Sequence, residues 1–197
     1  MQAETYYHIF NHANGSENLF REAENYRYFL QQWAKYIEPV AGTYAYCLMP
    51  NHFHALIRIR GERQLQEVFK VADLTGFENL SGLLISKPFS NLFNSYAKAY
   101  NKQHDRRGSL FNRPFKTKEI SSDRGLTTVT HYIHSNPVHH GFVQNIDQWK
   151  WSSYQTLLSA KPTLLARKET IGWFGDTDVF LAMHQQAIAL KETEWID

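Results

Sequence analysis

Cysteine is nearly absent from this 197-residue chain. With Cys47 alone, no intramolecular disulfide can form, and any zinc site would have to rest on other ligands. Cys47 sits in the apolar run YAYCLM, where a buried, inert thiol is expected. Long hydrophobic runs are also missing: no stretch approaches the roughly 18 apolar residues needed to cross a bilayer. The N-terminal MQAETYYHIF has no basic n-region and no apolar h-region, so it does not read as a signal peptide. Repeats and low-complexity tracts are lacking too. These signs predict a cytoplasmic protein with no membrane partner, long enough to bury a core as one domain with at most a small appendage.

Net charge is also small, +2, but it is unevenly spread. Between Tyr96 and Ile120, seven basic residues (Lys98, Lys102, Arg106, Arg107, Arg113, Lys116 and Lys118) stand against two acids, Asp105 and Glu119. Tyr96, Tyr100, Phe111 and Phe115 are interleaved with them. From Glu169 onward there are six acids and one lysine. A basic, aromatic stretch beside an acidic end fits a polyanion met on one side, and fits a solvated helix and loop equally well.

Aromatic-rich Thr5–Ala13, closed by Asn14-Gly15, reads as a strand and turn. Ser16 is placed to cap a helix through Tyr36, ended by Pro39 and Gly42. Thr43–Met49 and His52–Arg60 read as strands around a Pro50-Asn51 turn. A helix follows from Phe89 to about Lys102, then a short strand at Phe115–Ile120. Ser121, Ser122 or Asp123 caps a further helix running toward Pro137. Residues 61–88 show no clear period and read as an insertion, part helix and part mobile loop. The order β-α-β-β-α-β predicts an α+β, ferredoxin-like split βαβ fold: a four-stranded antiparallel sheet with helices on one face. A catalytic domain is expected over 1–146, with a helical C-terminal extension over 147–197 that covers the sheet, mediates dimerisation or grips DNA.

Two segments carry chemistry. In HFHALIRIR, side chains alternate, so Phe53, Ala55, Ile57 and Ile59 share a core face while His52, His54, Leu56, Arg58 and Arg60 share the other. A single histidine is usually a hydrogen-bonded core residue. Two at i, i+2 on the face away from the core can converge on one metal ion. Arg58 and Arg60 suit phosphate binding along the same face, although Arg60 at the strand end serves solubility equally well. His8 lies on the first strand, which pairs with the third in this topology. It fits best a packed residue, and also a group hydrogen-bonded to a metal ligand or a phosphate contact. In THYIHSNPVHHGFV, Tyr132 and Asn136 share a helix face. A tyrosine can act as a covalent nucleophile, and an amide oxygen can complete a hard-ion site. Asn136 precedes Pro137, so it also suits a helix C-cap. His134 is expected to be structural, with His139 and His140 in a loop near DNA.

The runs Leu48-Met49-Pro50-Asn51-His52-Phe53-His54, Gly108-Ser109-Leu110-Phe111 and Tyr132-Ile133-His134-Ser135-Asn136-Pro137-Val138 stand in this order. Together they resemble the single-tyrosine HUH transposases, specifically the REP-associated tyrosine transposase group. The resemblance covers roughly Tyr6 to Val143 and implies a metal-dependent enzyme that cleaves and rejoins single-stranded or hairpin DNA. It further implies that His52, His54 and Asn136 hold Mg²⁺ or Mn²⁺. Tyr132 would attack the scissile phosphate to give a 5′-phosphotyrosine and a free 3′-hydroxyl. A phenol, with a pKa of about 10, needs activation for this. Relatives commonly carry glutamine four residues after the tyrosine, where this chain has Asn136. Members of the group often dimerise, so a homodimer is expected. DNA contacts are expected from Arg58, Arg60, Arg106, Arg107, Arg113, Lys116 and Lys118, with Tyr100 as a stacking platform; Phe111 suits the same use, although packing on the sheet is favoured for it and for Phe115. The alternatives are a non-catalytic nucleic-acid-binding protein on the same fold and, well behind it, a zinc hydrolase. The latter lacks both H-E-x-x-H and a carboxylate at a telling spacing.

Overall fold

The computed structural model describes residues 1–70 and 78–186. Four strands, β1 (Tyr6–His12), β2 (Ala41–Met49), β3 (His52–Ile59) and β4 (Lys116–Ile120), form one antiparallel sheet in the order β2-β3-β1-β4. Helix α1 (Ala23–Tyr36) links β1 to β2, while α2 (Glu62–Phe69) and α3 (Glu78–Gln103) lie between β3 and β4 in the chain. This is the ferredoxin-like order expected from the sequence. Beyond it come α4 (Asp123–His139), a 3-10 turn (Ile146–Gln148), α5 (Tyr154–Leu158), α6 (Arg167–Phe174) and α7 (Thr177–His184).

Strand alternation divides the core in two. Ile9 of β1 and Phe53, Ala55, Ile57 and Ile59 of β3 point to one face, where Phe29 and Trp33 of α1 and Phe89, Leu92 and Tyr96 of α3 bury them. The opposite face carries Ala45, Cys47, Met49 and Leu56, and α4 covers it with Leu126, Val129 and Ile133. The frame's own helices thus occupy one face as expected, and α4 occupies the other, the one bearing the histidines. Cys47 is fully buried there, and burial pushes its thiol pKa well up, so it is inert.

Both sheet edges are managed. The outer edge of β2 is covered by the C-terminal region: Leu48 N donates to the Trp151 carbonyl, Ser153 N to that of Tyr46 and Ala166 N to that of Thr43, each at 2.9 Å. At the other edge β4 is five residues long and carries Lys116 and Lys118.

Three boundaries differ from expectation for identifiable reasons. Helix α1 starts at Ala23, not after Ser16. The intervening segment stays irregular because its carbonyls are claimed elsewhere: Tyr96 OH donates to Leu19 O and Tyr100 OH to Asn18 O. Helix α3 starts at Glu78 and runs through Pro88, and the insertion contains α2, anchored by buried Leu65. The mobile loop expected in the insertion falls partly at residues 71–77, outside the described residues. Helix α4 is capped by Ser122, whose hydroxyl accepts from Gly125 N at 3.1 Å, and it continues past Pro137 to His139. Asn136 is therefore helical, and the C-cap is His140. Proline at 137 removes one helical N–H, and Asn136 fills no capping role.

Candidate active site

The pairing of β1 with β3 assembles the site. His12 lies opposite His52, Phe10 opposite His54 and His8 opposite Leu56, so all of these side chains share the face under α4. His8 and His54 stack with ring centroids 5.1 Å apart, and His8 Nε2 is 2.9 Å from His54 Nδ1. His52 Nδ1 is 2.8 Å from the Asn51 side-chain oxygen, and His12 stacks on His52 at 4.7 Å. The sequence reading missed His12, although its four-residue spacing from His8 on one strand places both on the same face.

Helix α4 closes over this row. The Tyr132 ring stands nearly perpendicular to that of His54, at 5.5 Å, and 6.1 Å from His8. One end further along, His140 lies 5.0 Å from His52. Tyr132, Asn136 and His140 are spaced by four, so they form a single helical stripe, and Asn136 occupies its middle. Asn136 is 1% exposed and its Nδ2 donates to the Tyr132 carbonyl at 3.2 Å. Its Oδ1 is buried without a hydrogen-bond partner among the described residues. A buried amide oxygen left this way costs free energy unless a ligand satisfies it.

Electrostatics favour a neutral imidazole at His54. Burial holds the His54 pKa well below its ordinary value, and nearby His8, His52, His12 and His140 push it further down. When Nδ1 of a neutral histidine is the protonated nitrogen, Nε2 carries the lone pair, the form in which histidine ligates metals. The Asn51 side-chain oxygen, 2.8 Å from His52 Nδ1, suits that tautomer at His52. His8 allows it at His54. Two imidazoles and one orphaned amide oxygen fit a divalent ion that prefers hard oxygen and nitrogen donors. Among the described residues no group of three or more His, Cys, Asp or Glu is placed to hold a metal.

His131, His134 and His184 form a different cluster. His134 Nδ1 is 2.9 Å from His184 Nε2, His134 Nε2 is 2.7 Å from Ser153 Oγ, and His184 Nδ1 donates to the Phe180 carbonyl at 2.7 Å. His131 packs against His184 at 4.9 Å. These contacts tie α4 to α7, a structural use of His134.

The expected DNA-contacting residues divide into three groups. Lys116 and Lys118 pair with Phe10 and His8 across β1 and β4, so they flank the histidine row on its own face. Arg107 and Arg113 are exposed in the segment between α3 and β4. Arg58 lies over the Tyr6 ring and 3.5 Å from the Glu4 carboxylate. Two assignments need correction. Arg60 spends its guanidinium on the Glu38 carbonyl, at 2.8 and 2.6 Å, and so ties β3 to the turn before β2. Arg106 binds Glu17, Asn101 and the Ser109 carbonyl and is 16% exposed, so it organises its own loop. Tyr100 is also a core residue rather than a stacking platform, and Phe111 packs in the core, the use favoured for it. The exposed aromatic surface lies elsewhere, at Phe142, which is 46% exposed with Trp149 at 5.7 Å.

In this fold, paired histidines on a central strand face a tyrosine helix. No protein-family model matches the chain. A REP-associated tyrosine transposase of Haemophilus influenzae is 26% identical to it over 121 residues, which cover 60% of this chain and 62% of that relative. The solved structure of a REP-associated tyrosine transposase bound to a REP hairpin superposes with a TM-score of 0.59 at 13% identity, over 82% of this chain and 84% of the other. The chain is thus similar in sequence to one protein named for this group and in fold to another. No helix among the described residues is long and apolar enough to cross a membrane.

Proposed function

We propose that this protein is a transposase-type enzyme that nicks and rejoins single-stranded, hairpin-bearing DNA through a covalent bond to Tyr132. The observation that carries this reading is Tyr132 on α4, held edge-on 5.5 Å from the His54 ring. A core tyrosine would have no reason to face the buried imidazoles of His8 and His54 beside an orphaned amide oxygen.

His52, His54 and Asn136 would hold the divalent ion, Mg²⁺ or Mn²⁺, which when bound draws charge from the scissile phosphate. Tyr132 Oη forms a bond to phosphorus as the bond to the 3′-oxygen breaks. The phenolic proton is lost and the departing 3′-oxygen gains one, giving a 5′-phosphotyrosine and a 3′-hydroxyl. Attack by another 3′-hydroxyl reverses the exchange, which rejoins strands without ATP. His8 positions His54 through its 2.9 Å contact. Lys116 and Lys118 on the adjoining edge strand attract the DNA backbone toward the same face. The hairpin-bound structure supports the choice of hairpin DNA as substrate, and the similar Haemophilus protein the transposase reading.

The test is to incubate the protein with end-labelled single strands carrying hairpins from beside its own gene, with Mn²⁺ or with chelator. A denaturation-resistant protein–DNA adduct that requires the ion supports the reading. Tight binding without an adduct on any of these strands would favour a non-catalytic binding protein on the same fold.

A further inference from the structure

A cavity of about 620 Å³ opens beside Tyr132 and Asn136, between the C-terminal half of α4, the 3-10 turn and the end of α7. That volume falls in the range of small-ligand sites, about 300–1,000 Å³. Its lining is unusual for a site on a DNA-processing enzyme. Ser135, Gln144, Asn145, Gln185 and Gln186 contribute hydroxyl and carboxamide groups, and neither lysine nor arginine is among the lining residues described. A phosphate would find no lysine or arginine there, and Asp147 at the wall opposes one. Carboxamides instead present a donor and an acceptor side by side, the pattern that matches the edge of a nucleobase, adenine above all.

We infer that this cavity receives the unpaired base next to the scissile phosphate and reads its edge through Gln144, Gln185 and Gln186. This rests on the nicking reading of the site, because Tyr132 lies on the cavity wall. Geometry ties the two: a nucleotide whose phosphate meets Tyr132 has its base within one sugar's reach of the cavity, while Lys116 and Lys118 hold backbone on the far side of the histidine row. The cavity supplies discrimination between bases, and the basic edge supplies affinity that is indifferent to sequence.

The test uses the full-length protein and hairpin strands in which 2-aminopurine, or an abasic residue, is placed in turn at each unpaired position around the nick. One 2-aminopurine position is expected to change its fluorescence on binding to both the wild type and Tyr132→Phe. The change is expected to be lost in Gln144→Ala/Gln185→Ala, whose substituted side chains are exposed. An abasic residue at that same position is expected to slow adduct formation about tenfold or more, as loss of a bidentate base contact does. If adduct forms at equal rates with every abasic strand, the base pocket is refuted while the nicking reading stands. If one 2-aminopurine position responds through Gln144 and Gln185 but no adduct forms, the pocket stands and Tyr132 as nucleophile falls. A fluorescence response unchanged in the double variant also overturns the assignment of these glutamines.

Discussion

His54 and Tyr132 meet across the seam between β3 and α4, their rings nearly perpendicular and 5.5 Å apart. One is fixed by the β1–β3 register and the other by a helix capped at Ser122, so the active-site geometry depends on how α4 is seated on the sheet. Leu126, Val129 and Ile133 on one side, and the His134–His184–Ser153 contacts on the other, hold that seat.

His8 is the first residue to probe. His8→Ala is expected to lower adduct formation about 10–100-fold, the usual cost of removing a hydrogen-bond partner of a ligating histidine. It should also raise the Mn²⁺ concentration needed for half-maximal rate. A purely structural role would lower the rate without moving the metal requirement.

Arg60 and the β4 lysines separate stability from binding. Arg60→Ala leaves the Glu38 carbonyl without its partner and should cost about 1–3 kcal/mol in urea unfolding, with the salt dependence of DNA binding unchanged. Lys116→Ala and Lys118→Ala should each flatten the plot of log affinity against log salt by about 0.7 for a single strand. Unchanged slopes in both lysine variants would remove the basic edge from the binding surface.

How much of this was legible in the sequence depended on what fixes each feature. The β3 face was legible because alternation in HFHALIRIR admits one arrangement, and Tyr132 with Asn136 because helical spacing does the same. The α4 stripe was only partly legible, since its third member, His140, sits past a proline that sequence reasoning takes as a stop. Arg60 and Arg106 were misplaced because charge patterning records a guanidinium but not its partner. Glu38 and Glu17 lie 22 and 89 residues away along the chain. The cavity beside Tyr132 was invisible, because it depends on α7 returning to α4 through the His134–His184 contact.

That contact makes stability pH-dependent. Burial lowers the pKa of His184 to about 3 and that of His131 to about 4, against about 6.5 in the unfolded chain. Below pH 6.5 the unfolded state therefore binds protons that the folded state refuses. Stability is complete above that pH and falls as pH drops toward the folded values. The loss should reach at most about 1.4 kcal/mol per pH unit for each histidine. Urea unfolding between pH 7.5 and 5 reads this directly. His184→Gln should be less stable at pH 7.5, with a shallower decline below pH 6.5.

Ser153 offers a check on the same tie at neutral pH. Its hydroxyl accepts from Tyr46 N at 2.9 Å and meets His134 Nε2 at 2.7 Å. Ser153→Ala strands both groups and should cost about 1–3 kcal/mol in thermal or urea unfolding. A neutral substitution would show that water replaces the hydroxyl.

The most direct measurement of the central claim is peptide mapping of the covalent protein–DNA adduct by mass spectrometry after nuclease trimming, with Tyr132→Phe in parallel. The account predicts a residual 5′-linked nucleotide on the peptide containing Tyr132, a free 3′-hydroxyl on the released strand, and no adduct in Tyr132→Phe despite unchanged hairpin binding. An adduct that persists in Tyr132→Phe, or that maps to another residue, would contradict it.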